Sequence, residues 1–192
     1  MRIIVGISGA SGVVIGYYLL KALRQVPDCE IHLVVSQGAK ITWNLEAKIP
    51  YEDLEALADV VHSDKNLASS IASGSFVTDG MIVAPCSMKT LAAITSGYAA
   101  NLLVRAADVC LKENRKVTLL PREMPLGKIH LRNLSEAAGL GCTIIPPMLT
   151  FYNAPERLSD QINHVIGKVL MQYGITHDKF IPWEGADTKG GC

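Results

Sequence analysis

Apolar runs at residues 3–7, 31–35, 81–84 and 117–120, interrupted only by His32 and Thr118, recur along the chain, and a fifth, with Thr143 in it, occupies 142–145. Runs without alternation predict strands buried on both faces, as in a parallel sheet. Helical periodicity follows most of them: 13–25 up to the Pro27-Asp28 turn, a stretch after Ser36-Gln37-Gly38 toward 46, another reaching 95, then 101–114, 128–138 and 155–173. The helix at 101–114 has its apolar stripe at Leu102, Ala106, Val109 and Cys110. The last helix has its stripe at Leu158, Ile162, Val165, Ile166, Val169 and Leu170. Residues 50–79 are the least periodic and predict a small strand and a short helix. Five strand-helix alternations imply a doubly wound, three-layer α/β fold with a mostly parallel sheet. Residues 1–184 read as one domain, and 185–192, with no large apolar residue, as a mobile tail.

Composition narrows the class. A chain of 192 residues that is 49% hydrophobic and 6% aromatic has enough aliphatic surface for a sizeable core. Eighteen basic and 18 acidic residues cancel, which leaves no electrostatic footprint for nucleic acid and favours burial of surface in a homo-oligomer. The five cysteines are widely spaced and form no C-x-x-C pair, so a reducing cytoplasm suits them better than a disulfide framework or a zinc site. The chain enters a strand at once, with no signal peptide, and no apolar run is long enough for a membrane span.

The turns carry the candidate chemistry. Ser8-Gly9-Ala10-Ser11-Gly12 brings small residues and backbone N–H groups to a helix start, which is either a phosphate seat or a plain strand-to-helix turn. The second run ends at Ser36 with no carboxylate for ribose hydroxyls, the first turn lacks a full G-x-G-x-x-G, and no G-K-[ST] follows. These absences weigh against NAD and an ATP P-loop. Pro85-Cys86-Ser87-Met88-Lys89-Thr90 repeats the opening pattern, and both turns should face one crevice at the carboxyl ends of the strands. Ser87 and Thr90 offer hydroxyls there and Lys89 a charge, although Ser87 also suits a helix N-cap and Lys89 a solvated surface. Cys86 reads as a packing residue, because no base stands near it in sequence.

Arg105 and Lys112 share a helix face with Asp108 between them, and spacing alone pairs Asp108 with Lys112 on the surface. Arg122-Glu123 stands between two prolines at a strand end, where an open α/β sheet places its ligands; the other reading is an internal ion pair. Ser69 to Ser75 is an active-site loop or a connection, His130 a surface or packing residue, and Lys168 lies off the apolar stripe of the last helix.

With these motifs assembled, the chain resembles the flavin prenyltransferases, UbiX-like proteins historically described as aromatic or phenylacrylic acid decarboxylases. The resemblance runs from Ile3 to about Ile175 and rests on the two turns above, on the run from Asn101 to Asp108, on Leu111-Lys112-Glu113, Pro121-Arg122-Glu123-Met124-Pro125, Ile129-His130-Leu131 and Phe151-Tyr152. The Ser-Met-Lys-Thr variant is similar to the branch found beside hydroxyarylic acid decarboxylase operons. The resemblance implies a flavodoxin-like, Rossmann-like fold, a dodecamer, and transfer of a dimethylallyl group from dimethylallyl phosphate, or in some members the diphosphate, to N5 and C6 of reduced FMN. The product, prenylated FMN, would serve a UbiD-like decarboxylase, and no metal would be needed.

Carried over by position, Gly9, Ala10, Ser11, Ser36, Ser87, Met88, Lys89, Thr90 and Arg122 would contact FMN. Glu46, Arg105, Lys112, Glu123, Tyr152 and Lys168 would surround the prenyl phosphate, with Glu46, Arg105, Lys112 and Glu123 catalytic. The family commonly has arginine at Lys168, and lysine keeps the charge while losing the bidentate grip. Two alternatives stand beside this reading. A flavin-dependent cysteine decarboxylase would need a Pro-Ala-Ser-Ala-Asn-Thr turn, whose Asn is missing here. A non-catalytic FMN-carrying subunit would not need Glu123, Lys112 and Tyr152.

Overall fold

The computed structural model describes residues 1–185 and divides into two compact units, Met1–Pro147 and Met148–Cys192. The expected tail lies, beyond Gly185, outside the described residues. The first unit runs β1 (Arg2–Ile7), α1 (Val14–Leu23), β2 (Glu30–Val35), α2 (Gln37–Glu46), α3 (Tyr51–Glu55), β3 (Val60–Ser63), a 3₁₀ turn (Ser70–Ala72), β4 (Gly80–Cys86), α4 (Met88–Ser96), α5 (Leu102–Lys112), β5 (Lys116–Pro121), α6 (Lys128–Gly139) and β6 (Thr143–Ile144). Among the described residues the strands form one six-stranded sheet in the order β3-β2-β1-β4-β5-β6, and every pairing is parallel. The order reverses between β1 and β4, so the crevice beyond their carboxyl ends is the topological switch point.

Burial follows the apolar runs. Ile3, Val5, Ile7, Ile31, Leu33, Ile82 and Leu119 are wholly buried, each contributing roughly 1.5–3 kcal/mol of apolar transfer free energy as an upper estimate. The small strand expected in the 50–79 stretch is β3, an exposed edge. The run at 142–145 shrinks to two ladder residues because Pro146 and Pro147 supply no N–H to extend it. Ser36 and Ser87 cap α2 and α4, their hydroxyls accepting from Ala39 N–H and Thr90 N–H at 3.2 Å each.

A polar chain crosses the β2–β3 edge. Glu30 Oε1 lies 2.8 Å from His32 Nε2, His32 Nδ1 2.8 Å from His62 Nε2, and His62 Nδ1 2.6 Å from Ser69 Oγ. A carboxylate only accepts, so His32 donates from Nε2. With both rings neutral, His32 Nδ1 then accepts from His62, and His62 Nδ1 accepts the Ser69 hydroxyl proton. Burial, then the neighbouring His32, holds His62 below the ordinary histidine range.

In the second unit, α7 (Leu158–Met171) starts three residues later than its periodicity suggests. Arg157 is extended, and Asp160 accepts from Glu156 N–H at 3.1 Å and Arg157 N–H at 2.9 Å, closing the helix start. Gly167 leaves a notch in α7 for Phe180: a Cβ there would collide with the Phe180 ring, so the segment after the helix returns along it. Among the described residues no helix is long and apolar enough to cross a membrane.

His62 gives the fold a pH dependence of known sign. Its pKa is lower folded than unfolded, so the unfolded chain takes up the proton first and stability falls as pH drops below about 6.5. Urea midpoints measured from pH 7.5 to 5.5 should decline, and the decline should be shallower in His62→Gln. His164 and His177, also lowered by burial, keep it from vanishing.

Candidate functional site

Ser8, the polar residue that ends the apolar β1 run, is wholly buried between the two turns. Its hydroxyl donates to the Pro85 carbonyl at 3.0 Å and accepts from Ser87 N–H at 2.7 Å, while its own N–H donates to the same carbonyl at 3.1 Å. One side chain thus holds the β1 and β4 turns in register. The Ser36 turn joins them through Ser36 N–H to the Ile7 carbonyl, 2.9 Å, and through a backbone contact at Gly9, where a Cβ would stand 2.8 Å from the Gly38 carbonyl carbon. The start of the β5 turn is tied on by Arg122 N–H to the Cys86 carbonyl, 3.1 Å.

The arrangement brings Gly9, Ala10, Ser11, Ser36, Ser87, Met88, Lys89, Thr90, Arg122 and Glu123 to one edge of the sheet. Among the described residues the N–H groups of Gly9 and Ser11 have no partner, nor do those of Met88 and Lys89 at the start of α4, whereas Thr90 N–H is taken by the Ser87 hydroxyl. These are donors for the oxygens of a polar, anionic ligand. Gly12 N–H is not among them, because it donates to Glu46 Oε2 at 2.8 Å. The Glu46 carboxylate therefore occupies one N–H of the expected phosphate seat, and an anion here meets Gly9 and Ser11 first. Ser87 and Thr90 hydroxyls bond each other at 3.1 Å. Arg122 and Glu123 do not form the internal ion pair that one reading allowed; Glu123 accepts from Met124 N–H at 3.0 Å, and both are exposed.

Asp64, which the sequence reading passed over, closes the far side of this edge. Its carboxylate takes Asn101 Nδ2 at 3.0 Å and Leu103 N–H at 3.1 Å, and its carbonyl takes Leu102 N–H at 2.8 Å, so it caps α5. Burial pushes its pKa up, against those hydrogen bonds and the positive fields of Lys89 and Lys40. Its sequence separation from Asn101 gave no local signal. Ser8 was legible as a hydroxyl at the end of a buried strand, a position that demands a partner.

Within this copy α5 separates the charged residues assigned to chemistry. It starts at Leu102, whose N–H is held by the Asp64 carbonyl beside the carboxyl end of β3, and runs opposite to the strands before β5 begins at Lys116. An eleven-residue helix spans about 16 Å, so Lys112 ends near the amino edge of the sheet. There its ammonium lies 2.5 Å from Glu113 Oε1. Arg105, about a turn into the helix, donates to Ala72 O at 3.2 Å and to Asp108 Oδ2 at 2.6 Å. The pairing of Asp108 with Lys112 that spacing suggested is therefore corrected: the guanidinium one turn earlier takes the carboxylate, in an i,i+3 pair worth about 0.3–0.5 kcal/mol at such exposure.

Tyr152 and Lys168 belong to the second unit. Tyr152 Oη lies 3.0 Å from His164 Nε2, with Trp183 edge-on to the phenol at 5.5 Å, and Lys168 is exposed one turn after His164. His130 turns back to accept Gly127 N–H at 3.2 Å, so it closes the start of α6. Cys86 is wholly buried and its thiol is pushed far up by desolvation, as befits a packing residue. Among the described residues no group of three or more His, Cys, Asp or Glu could hold a metal ion.

The family model described as Flavoprotein matches residues 1–170. A probable UbiX-like flavin prenyltransferase of Sedimentibacter hydroxybenzoicus is 66% identical over 185 residues, covering 96% of this chain and 98% of its own. Two solved structures superimpose closely. A dodecameric FMN-dependent UbiX-like decarboxylase from Escherichia coli O157:H7 has a TM-score of 0.94 at 51% identity, covering 96% of this chain and all of that one. AnUbiX (PadA1), in complex with FMN and dimethylallyl pyrophosphate, has a TM-score of 0.93 at 43% identity, covering 96% and 97%.

Replacing Ser8 with Ala removes the hydroxyl bridge and leaves the half-buried Ser87 N–H without its partner. The expected loss is about 1–3 kcal/mol of unfolding free energy, measured by urea titration. An unchanged midpoint would show that the turns do not depend on Ser8.

Proposed function

This chain belongs to the UbiX-like flavin prenyltransferases, and we propose that it transfers a dimethylallyl group from dimethylallyl phosphate to N5 and C6 of reduced FMN. The observation that carries the reading is the pair of turns locked by Ser8. Their unpartnered N–H groups and hydroxyls suit a flavin mononucleotide, and Ser36 stands where a dinucleotide site would need a carboxylate. FMN supplies the nucleophilic positions; the rest is the work of the chain. Gly9, Ala10, Ser11, Ser36, Ser87 to Thr90 and Arg122 orient it. Among the donor-side residues, Arg105, Lys112 and Lys168 offset the charge that gathers on the leaving phosphate as the allylic C–O bond breaks, and Tyr152 donates a hydrogen bond to it. Glu123, exposed beside Arg122, moves the proton needed when the ring closes.

Because α5 carries Lys112 toward the other edge of the sheet, this residue reaches a flavin held by a neighbouring copy rather than its own. The dodecameric relative supports such an assembly. The product would pass to a UbiD-like decarboxylase, and the buried free cysteines Cys29, Cys86, Cys110 and Cys142 suit a reducing cytoplasm.

Anaerobic incubation with reduced FMN and dimethylallyl phosphate should raise the flavin mass by one dimethylallyl group; an unchanged mass refutes the reading. Glu123→Gln should still take up that mass while the absorbance change of ring closure slows about a hundred-fold or more. Lys112→Ala and Glu123→Gln, each impaired alone, should recover activity when co-assembled, because some sites then draw both intact residues from different copies. Mixed assemblies no better than the parents would place Lys112 in its own copy's site.

A further inference from the structure

His164 is the buried group that the family resemblance leaves without a role. It is about 5% exposed, its Nε2 lies 3.0 Å from Tyr152 Oη, and Phe180 covers its ring at 4.8 Å between centroids. Its Nδ1 is buried with no hydrogen-bond partner. Two neutral forms fit the Tyr152 contact. In one, the phenol donates to Nε2, and the ring proton then sits on Nδ1 as a buried, orphaned N–H. In the other, Nε2–H donates to the phenol oxygen, and Nδ1 is only a buried, unused lone pair. Orphaned buried donors are the rarer and costlier of the two. A doubly protonated ring would bury the same orphan and add a charge one turn before Lys168. Burial first, and then the Lys168 charge, lower the His164 pKa, which keeps the ring neutral at pH 7.

We propose that His164 is a positioning residue, held as the Nε2–H tautomer, that donates to the Tyr152 oxygen and thereby leaves the phenol's own proton as an outward-directed donor for the phosphate of an allylic phosphate substrate. The role toward that phosphate rests on the prenyltransferase reading; the tautomer does not. Tyr152 is partly exposed, and Trp183 packs edge-to-face on its ring. The phenol is thus fixed at both its oxygen and its face, and its O–H needs no reorientation when the anion arrives. An isolated tyrosine would spread that proton over two in-plane directions and water.

The test has two arms on the full chain. With 15N-labelled histidine at pH 7, the His164 signals, identified by their absence in His164→Gln, should show a protonated Nε2 and an unprotonated Nδ1. A protonated Nδ1 overturns the proposal. In steady-state prenylation, His164→Leu and Tyr152→Phe should each raise KM for dimethylallyl phosphate about ten-fold, with kcat changed less, and the double variant should be no worse than Tyr152→Phe alone. His164→Gln, whose amide N–H can still donate to the phenol oxygen, should stay within about three-fold of wild type. A His164→Leu penalty that persists in the Tyr152→Phe background, or a Gln variant as poor as Leu, overturns it. Wild-type protein that forms no prenylated flavin defeats the functional reading instead, and the nitrogen signals still decide the tautomer.

Discussion

The two turns at the switch point depend on one hydroxyl. Ser8 is buried, so its oxygen has to find partners inside the protein, and the Pro85 carbonyl and Ser87 N–H satisfy it. Adjacent parallel strands would set β1 and β4 side by side without it, but ladder bonds stop at the sheet and do not fix the loops beyond. Ser8 holds the Ser87 N–H, and the Ser87 hydroxyl caps α4. The Gly9–Gly38 approach then places the α2 start on the same frame. Loops that would otherwise drift become a rigid set of donors before any ligand arrives.

Much of this was legible in the sequence, for physical reasons that differ by element. The four long strands were visible because a strand covered on both faces has no polar alternation to confuse. Ser87 was visible because a hydroxyl before a helix has two uses, cap and ligand donor, and here the cap is realised; Ser36 caps α2 in the same way, which its place at a strand end did not announce. Non-local pairings were not visible. Asp64 caps α5 across 37 residues, and Glu46 reaches back 34 residues to Gly12 N–H. Asp108 had two basic neighbours on its helix face, and periodicity does not say which one the carboxylate prefers. Lys112 illustrates the opposite limit. Its residue type and motif were readable, but the direction of α5, which carries it away from its own turns, becomes apparent only with the sheet order in hand.

The chemistry is correspondingly divided along the fold. The turns of the first unit present backbone N–H groups and hydroxyls with two cations, Lys89 and Arg122, whereas Arg105 and Lys112 stand on α5 and, in the second unit, Lys168 on α7. Neutral donors recognise a ligand without driving its reaction, and cations stabilise a leaving anion without defining the acceptor.

The notch at Gly167 also bears on how the protein is made. Domains generally fold as units in the order in which they leave the ribosome, so the Ser8-locked turns can be complete while the last helix is still being synthesised. The aromatic cover over His164 closes only after Phe180 has emerged and found the space that Gly167 leaves for it. A nascent or prematurely terminated chain would hold the turns intact and lack that cover.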